Sequence, residues 1–135
     1  MMMIMSRKAE ILTQIELEFC RIISQKPKLN FFRRNATTWE LLLSIAADGG
    51  TSYVGIYKTI DSLETNCLGS SALLLFIRDC RESGLLQRTQ GEKASMTKIS
   101  VHPDVLNDLN AVLAWRDNEI LARLEQTSDR RLASK

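Results

Sequence analysis

A mostly α-helical fold carrying one small β-hairpin is what the sequence predicts, on three observations. Apolar residues recur at helical spacing near both ends, over residues 6–26 and again over 105–124. A run of helical length, SSALLLFIRDCRE, opens on Ser70 and stops at Gly84. Just beyond it, LLQRT and MTKISV have alternating character on either side of the polar, glycine-containing QGEKAS, the pattern of two strands and their loop. At 135 residues the chain has the length of one domain around one core.

Taken in order, Ile11, Leu12, Ile15, Phe19, Ile22 and Ile23 fall on one side of a first helix, and Pro27 stops it. KPKLNFFRRNA (26–36) reads as a connector with Phe31 and Phe32 packed beneath it, so the aromatic-basic FFRR is assigned no site. A second helix begins at TTWE, where Thr37 and Glu40 have capping-box spacing, and runs through Trp39, Leu42, Leu43 and Ile45 to Gly49 and Gly50. TSYVG is β-branched and aromatic between glycines, a minimal strand. Ile56, Ile60 and Leu63 at i, i+4 and i+7 make residues 56–65 a short helix, and Asn66 opens the turn NCLG.

Ser70 then caps the next helix. A wheel centred on Leu73 turns Phe76, Ile77 and Cys80 inward, with Ala72 at the edge. Ser71, Leu74, Leu75, Arg78, Asp79, Arg81 and Glu82 occupy the opposite arc, and two leucines on so polar an arc suggest contact with a partner. After the hairpin, His102 takes a capping or turn role, and Pro103 and Asp104 suit a helix start. Val105, Leu106, Leu109, Val112, Leu113, Ile120 and Leu124 form a stripe over about six turns, and the polar tail SDRRLASK is expected to fray.

Composition narrows the function. Hydrophobic residues at 44% and charged residues at 25% are ordinary globular values, and no apolar run is long enough to span a bilayer. MMMIMSRK lacks the basic start and small-residue cleavage site of a secretory signal, so a cytoplasmic location without membrane partners is expected. Cys20, Cys67 and Cys80 have no CxxC spacing and His102 is the only histidine, which argues against a disulfide framework and a metal site. With no carboxylate cluster, nucleophile motif or phosphate-cradling glycine loop, neither catalysis nor a cofactor is expected. A net charge of +2 requires any nucleic-acid surface to come from local clusters. Two such clusters exist: Arg78 and Arg81 on the outward arc, able to meet phosphate or a guanine edge, and Arg88, Lys93 and Lys98 on the hairpin.

Helix, helix, short strand, helix, turn, helix, hairpin, long helix is the content of a winged helix-turn-helix. From Cys67 to Val105, carried by LGSSALLLFIRDCRESGLLQRT and TKISVHPD, the chain resembles the MarR family of bacterial transcriptional regulators, and its element order resembles that family over nearly its whole length. The resemblance implies a single domain over 1–135, with dimerisation helices at 6–26 and 104–126 around a winged-helix core at 37–103. It implies a homodimer on duplex DNA at a pseudo-palindromic operator, with a small-molecule effector between the dimer helices and the DNA-binding lobe. Ser70, Ser71, Leu74, Leu75 and Arg78 are the positions it turns toward DNA. Where the family tends to carry Asp-x-Arg at the wing tip, this wing offers Lys93. The competing expectation is a winged-helix module that binds protein through Leu74 and Leu75.

Overall fold

A computed structural model describes residues 4–49, 52–89 and 96–133, with side chains to residue 126. In chain order the elements are α1 (Arg7–Ser24), α2 (Pro27–Asn30), a 3-10 turn (Phe31–Arg34), α3 (Ala36–Gly49), β1 (Val54–Gly55), α4 (Ile56–Ser62), α5 (Ser70–Glu82), β2 (Leu86–Thr89), β3 (Lys98–Val101) and α6 (Pro103–Ala133). The strands form one antiparallel sheet in the order β1-β3-β2. The succession from α3 to β3 is that of a winged helix-turn-helix, with β2 and β3 as the wing. The expected hairpin is therefore part of a three-stranded sheet, because Val54 pairs with Ile99.

The chain divides into two compact units, Pro27–Asp108 on the one hand and Met1–Lys26 with Leu109–Lys135 on the other. In the first, Leu29, Phe32, Leu41, Leu42, Ile45, Val101 and Val105 are fully buried, and α5 contributes Leu73, Phe76, Ile77 and Cys80 at 0–4% exposure. These four are the residues the helical wheel turns inward. Phe76 stacks on Phe31 with centroids 5.5 Å apart and meets Phe32 edge-on at 5.8 Å. Arg34 covers Phe31 at 4.1 Å and Arg33 covers Trp39 at 4.8 Å, so both guanidiniums of FFRR lie over rings. Burial pushes the Cys80 thiol up to about 12, whereas Cys20 and Cys67 are exposed. An aromatic disulfide reagent at neutral pH should titrate Cys20 and Cys67 in the native protein and reach Cys80 only on denaturation; a native count that includes Cys80 would contradict this packing.

Several boundaries differ from expectation, each for a physical reason. The connector after Pro27 is helical: proline fixes the backbone torsion that a first helical turn needs, so the residue that ends one helix starts another. The cap of α3 is Asn35, whose Oδ1 accepts the Thr38 amide at 2.9 Å while Thr38 Oγ1 accepts the Asn35 amide at 3.2 Å. Thr37 and Glu40 are committed elsewhere. Gly69 rather than Ser70 is the N-cap of α5, and no side chain caps that end. At the other end Gly84 takes φ +73°, with its amide on the Arg81 carbonyl and the Leu85 amide on the Cys80 carbonyl, a Schellman closure that a glycine favours. α4 stops at Ser62, three residues early, and leaves the chain extended before the turn. α6 runs through most of the tail expected to fray.

In the second unit, Ser6 caps α1 by accepting the Ala9 amide at 3.1 Å, and Ile11, Ile15, Phe19 and Ile23 are its buried side chains. Leu109 and Val112 are buried on α6, and Arg116 lies over the Phe19 ring at 4.5 Å. Arg116 also pairs with Glu16 at 3.2 Å, and Arg123 with Glu18 at 2.6 Å and Glu119 at 2.9 Å. Leu12, Ile22, Leu113, Ile120 and Leu124 are only partly covered, while Leu17 and Leu121 are 44% and 54% exposed. No helix among the described residues is long and apolar enough to cross a membrane.

Candidate nucleic-acid interface

The helix-turn-helix comprises α4, residues 63–69 and α5. Its turn is held by side chains of α3. Glu40 accepts the amides of Glu64 at 3.0 Å and Thr65 at 2.9 Å and the Thr65 hydroxyl at 2.6 Å. Thr37 Oγ1 accepts the Cys67 amide at 2.8 Å and the Thr65 hydroxyl at 2.9 Å. The pair with capping-box spacing is thus a latch that fixes the segment leading into α5. The Glu64 amide, then the Thr65 hydroxyl and amide, hold the Glu40 carboxyl below the usual glutamate range. A carboxylate stabilised in this way contributes above its ordinary value of 4.5 and stops contributing as pH falls through the lower folded-state value. The amide resonances of Glu64 and Thr65 should therefore titrate together with a midpoint below 4.5, and Glu40→Gln should abolish that titration; a midpoint at or above 4.5 would contradict the latch.

Alpha helix α5 presents the expected outward residues unequally. Ser70, Ser71 and Arg78 are exposed, Arg81 is half-buried, and Leu75 is 52% exposed. Leu74 is half-buried and lines a cleft of about 220 Å³ with Ile56, Tyr57, Ile77, Arg78, Arg81, Arg88, Thr97 and Ile99. The two leucines thus separate: Leu74 sits in the cleft wall and Leu75 stands in solvent. Arg78 has two loose acidic neighbours, Asp79 at 3.8 Å and Glu82 at 3.9 Å, with its side chain 55% exposed. Such pairs contribute little at an open surface and leave the guanidinium available.

The wing supplies Arg88. Its register partner is Ile99, and directly opposed residues of an antiparallel pair project to the same face, which brings Arg88 to the cleft. Lys98 pairs with Thr89 and projects to the other face of the ribbon. Lys93 and the loop QGEKAS lie outside the described residues. Four of the sequence-derived positions, Leu74, Arg78, Arg81 and Arg88, therefore meet at one cleft; Ser70, Ser71, Leu75 and Lys98 are not part of its lining.

Sequence reasoning missed Tyr57, 45% exposed at the cleft, because only Ile56, Ile60 and Leu63 carried the helical period of α4. It also missed the reach of Thr37 and Glu40, whose partners are 24 to 30 residues away. At the end of the hairpin, His102 Nδ1 accepts the Asp104 amide at 3.1 Å, the capping role its position suggests. Asp104 in turn pairs with Lys28 at 2.8 Å. Among the described residues no group of three or more His, Cys, Asp or Glu is placed to hold a metal ion.

No protein-family model matches the chain, and no curated protein matches it. Among solved structures, the crystal structure of NadR in complex with 4-hydroxyphenylacetate is similar, at 15% identity and a TM-score of 0.49, over 98% of this chain and 96% of that chain.

Proposed function

We propose that the protein is a sequence-specific duplex-DNA-binding transcriptional regulator, similar to the MarR group, that acts as a homodimer in the cytoplasm and has no catalytic activity. The observation that carries this reading is the meeting of Arg78 and Arg81 of α5 with Arg88 of the wing on one face of a winged helix-turn-helix. A 13-residue helix is about 20 Å long and of a size that a major groove accepts. In this reading α5 enters that groove, Ser70 and Ser71 donate to phosphate or base, and Arg78 and Arg81 meet phosphates or guanine edges. Leu75 lies against a base edge, with Leu74 behind it. Arg88, Lys93 and Lys98 hold the wing to the backbone.

The partly covered stripes of α1 and α6, with Leu17 and Leu121 beside them, support the homodimer. Two copies would then present their α5 helices to successive major grooves about one helical turn apart, so the operator is a pseudo-palindrome. The protein-binding alternative needs both leucines as one apolar contact, and the half-burial of Leu74 in the cleft favours it less. The test is binding to mixed genomic duplex DNA: binding at low salt that weakens as salt rises supports the regulator, and none at any salt overturns it.

A further inference from the structure

The arginines of the wing cleft stand along one edge of α5, and a further arginine stands at the other edge. At about 100° per residue, the solvent arc of Ser71, Arg78, Glu82 and Leu75 is bordered by Leu74 and Arg81 on the cleft side. Ala72 and Asp79 border it on the far side, and Phe76 lies just beyond them. Arg34, the last residue of the 3-10 turn, holds its guanidinium 4.1 Å from the Phe31 ring and 5.5 Å from the Phe76 ring. Phe31 and Phe76 stack on each other and Phe32 meets Phe76 edge-on, so these rings are committed to packing. The charge above them is not. Arg34 is exposed, and among the described residues no carboxylate pairs with it. A guanidinium held through its face keeps its in-plane N–H donors for an oxygen acceptor. Because the stack already restricts the side chain, little freedom is lost when such an acceptor arrives. Asp79, on the same edge, has Arg78 at 3.8 Å.

We infer that Arg34 is a phosphate contact of the helix-turn-helix, on the DNA strand opposite the one that the wing side meets. A helix about 10–12 Å across with its side chains fills a major groove about 12 Å wide, so its two edges face the two phosphate backbones. Arg81 and Arg88 are the cations at the cleft edge. The far edge of α5 carries Ala72 and Asp79 and no cation of its own, and Arg34 brings one there from outside the helix. The contact rests on α5 entering the groove, as proposed above. A cation that only covers the rings needs no phosphate, and the number of ions released on binding separates the two roles.

The experiment takes the full chain, a labelled mixed-sequence duplex and a series of salt concentrations. Arg34→Gln, whose planar amide still covers the ring without a charge, should lower affinity at low salt about ten-fold. It should also reduce the slope of log Kd against log salt by about 0.9 for each copy bound. Arg34→Lys keeps the charge and should hold the wild-type slope. Lys8→Ala removes an exposed cation from the other unit and should leave the slope unchanged. A urea titration confirms that each variant is folded. In the wild type, independently of any variant, the Arg34 Nε–H resonance should shift as duplex is added. No such shift, an Arg34→Gln slope equal to that of wild type, or an equal fall of slope in Lys8→Ala would overturn the contact. Weaker binding by Arg34→Gln at the wild-type slope also overturns it, because packing and not a phosphate contact has then been lost. A wild type that binds no duplex at any salt refutes the function proposed above and this contact with it, whereas wild-type binding with an unaltered Arg34→Gln slope refutes the contact alone.

Discussion

Replacing Arg78 and Arg81 together by alanine is expected to lower affinity for duplex DNA by at least about 100-fold while the protein stays folded. Each guanidinium that meets a guanine edge or phosphate is worth roughly 1–3 kcal/mol, about ten-fold or more, and the two side chains lie one turn apart on the same stripe of α5. Stability should barely change. The ion pairs of Arg78 are long and exposed, and Arg81 makes no acidic contact among the described residues. Fluorescence anisotropy with a labelled duplex and a urea titration separate the two effects. A folded double variant that keeps its DNA affinity would remove α5 as the reading helix.

The largest expected loss of stability comes from Phe76→Ala. The ring is 4% exposed, stacked on Phe31 and edge-on to Phe32, and Arg34 spans Phe31 and Phe76 at 4.1 and 5.5 Å. Removing it forfeits the transfer of a large apolar group and leaves a cavity among residues fixed by their own packing, about 3–5 kcal/mol. Against a typical domain stability of about 5–15 kcal/mol that is a large share. The urea midpoint should fall with little change in slope. A loss below about 1.5 kcal/mol would show that the aromatic cluster is not the support of α5.

The same helix shows what a sequence reveals and what it conceals. Leu73, Phe76, Ile77 and Cys80 were legible as an inward arc because helical periodicity is local, and Gly84 because its backbone conformation is one few other residues adopt readily. The start of α5 was less legible: Ser70 is a capping type, yet Gly69 holds the cap position, a shift of one residue that side-chain preference alone does not resolve. Thr37 and Glu40 show the larger difficulty. Their spacing matches a local capping box, but their hydrogen bonds go to Glu64, Thr65 and Cys67, which only the folded chain brings near. Asn35, two residues before the predicted helix start and immediately before the observed one, held the local signal instead.

The candidate site was half legible for a related reason. Arg78 and Arg81 follow from the outward arc of one helix, whereas the meeting with Arg88 depends on the strand register that pairs Arg88 with Ile99. The separation of Leu74 from Leu75 has the same origin. A wheel places both outward, and the neighbouring sheet and α4 turn the flank beside Leu74 into a cleft. Tyr57 escaped notice because it is off the apolar stripe of α4 and gains its place only from the cleft.

The central claim, that this face binds duplex DNA through its arginines, is tested most directly by the salt dependence of binding to mixed genomic duplex. Each phosphate neutralised releases counterions, so log Kd should rise with log salt with a slope of about 0.9 per contact. With Arg78, Arg81 and Arg88 from each copy of the proposed homodimer, the wild type should show a slope of about 4 or more, and the Arg78→Ala, Arg81→Ala variant a slope smaller by about 2 to 4. No binding at low salt, or a slope identical in wild type and variant, would contradict it.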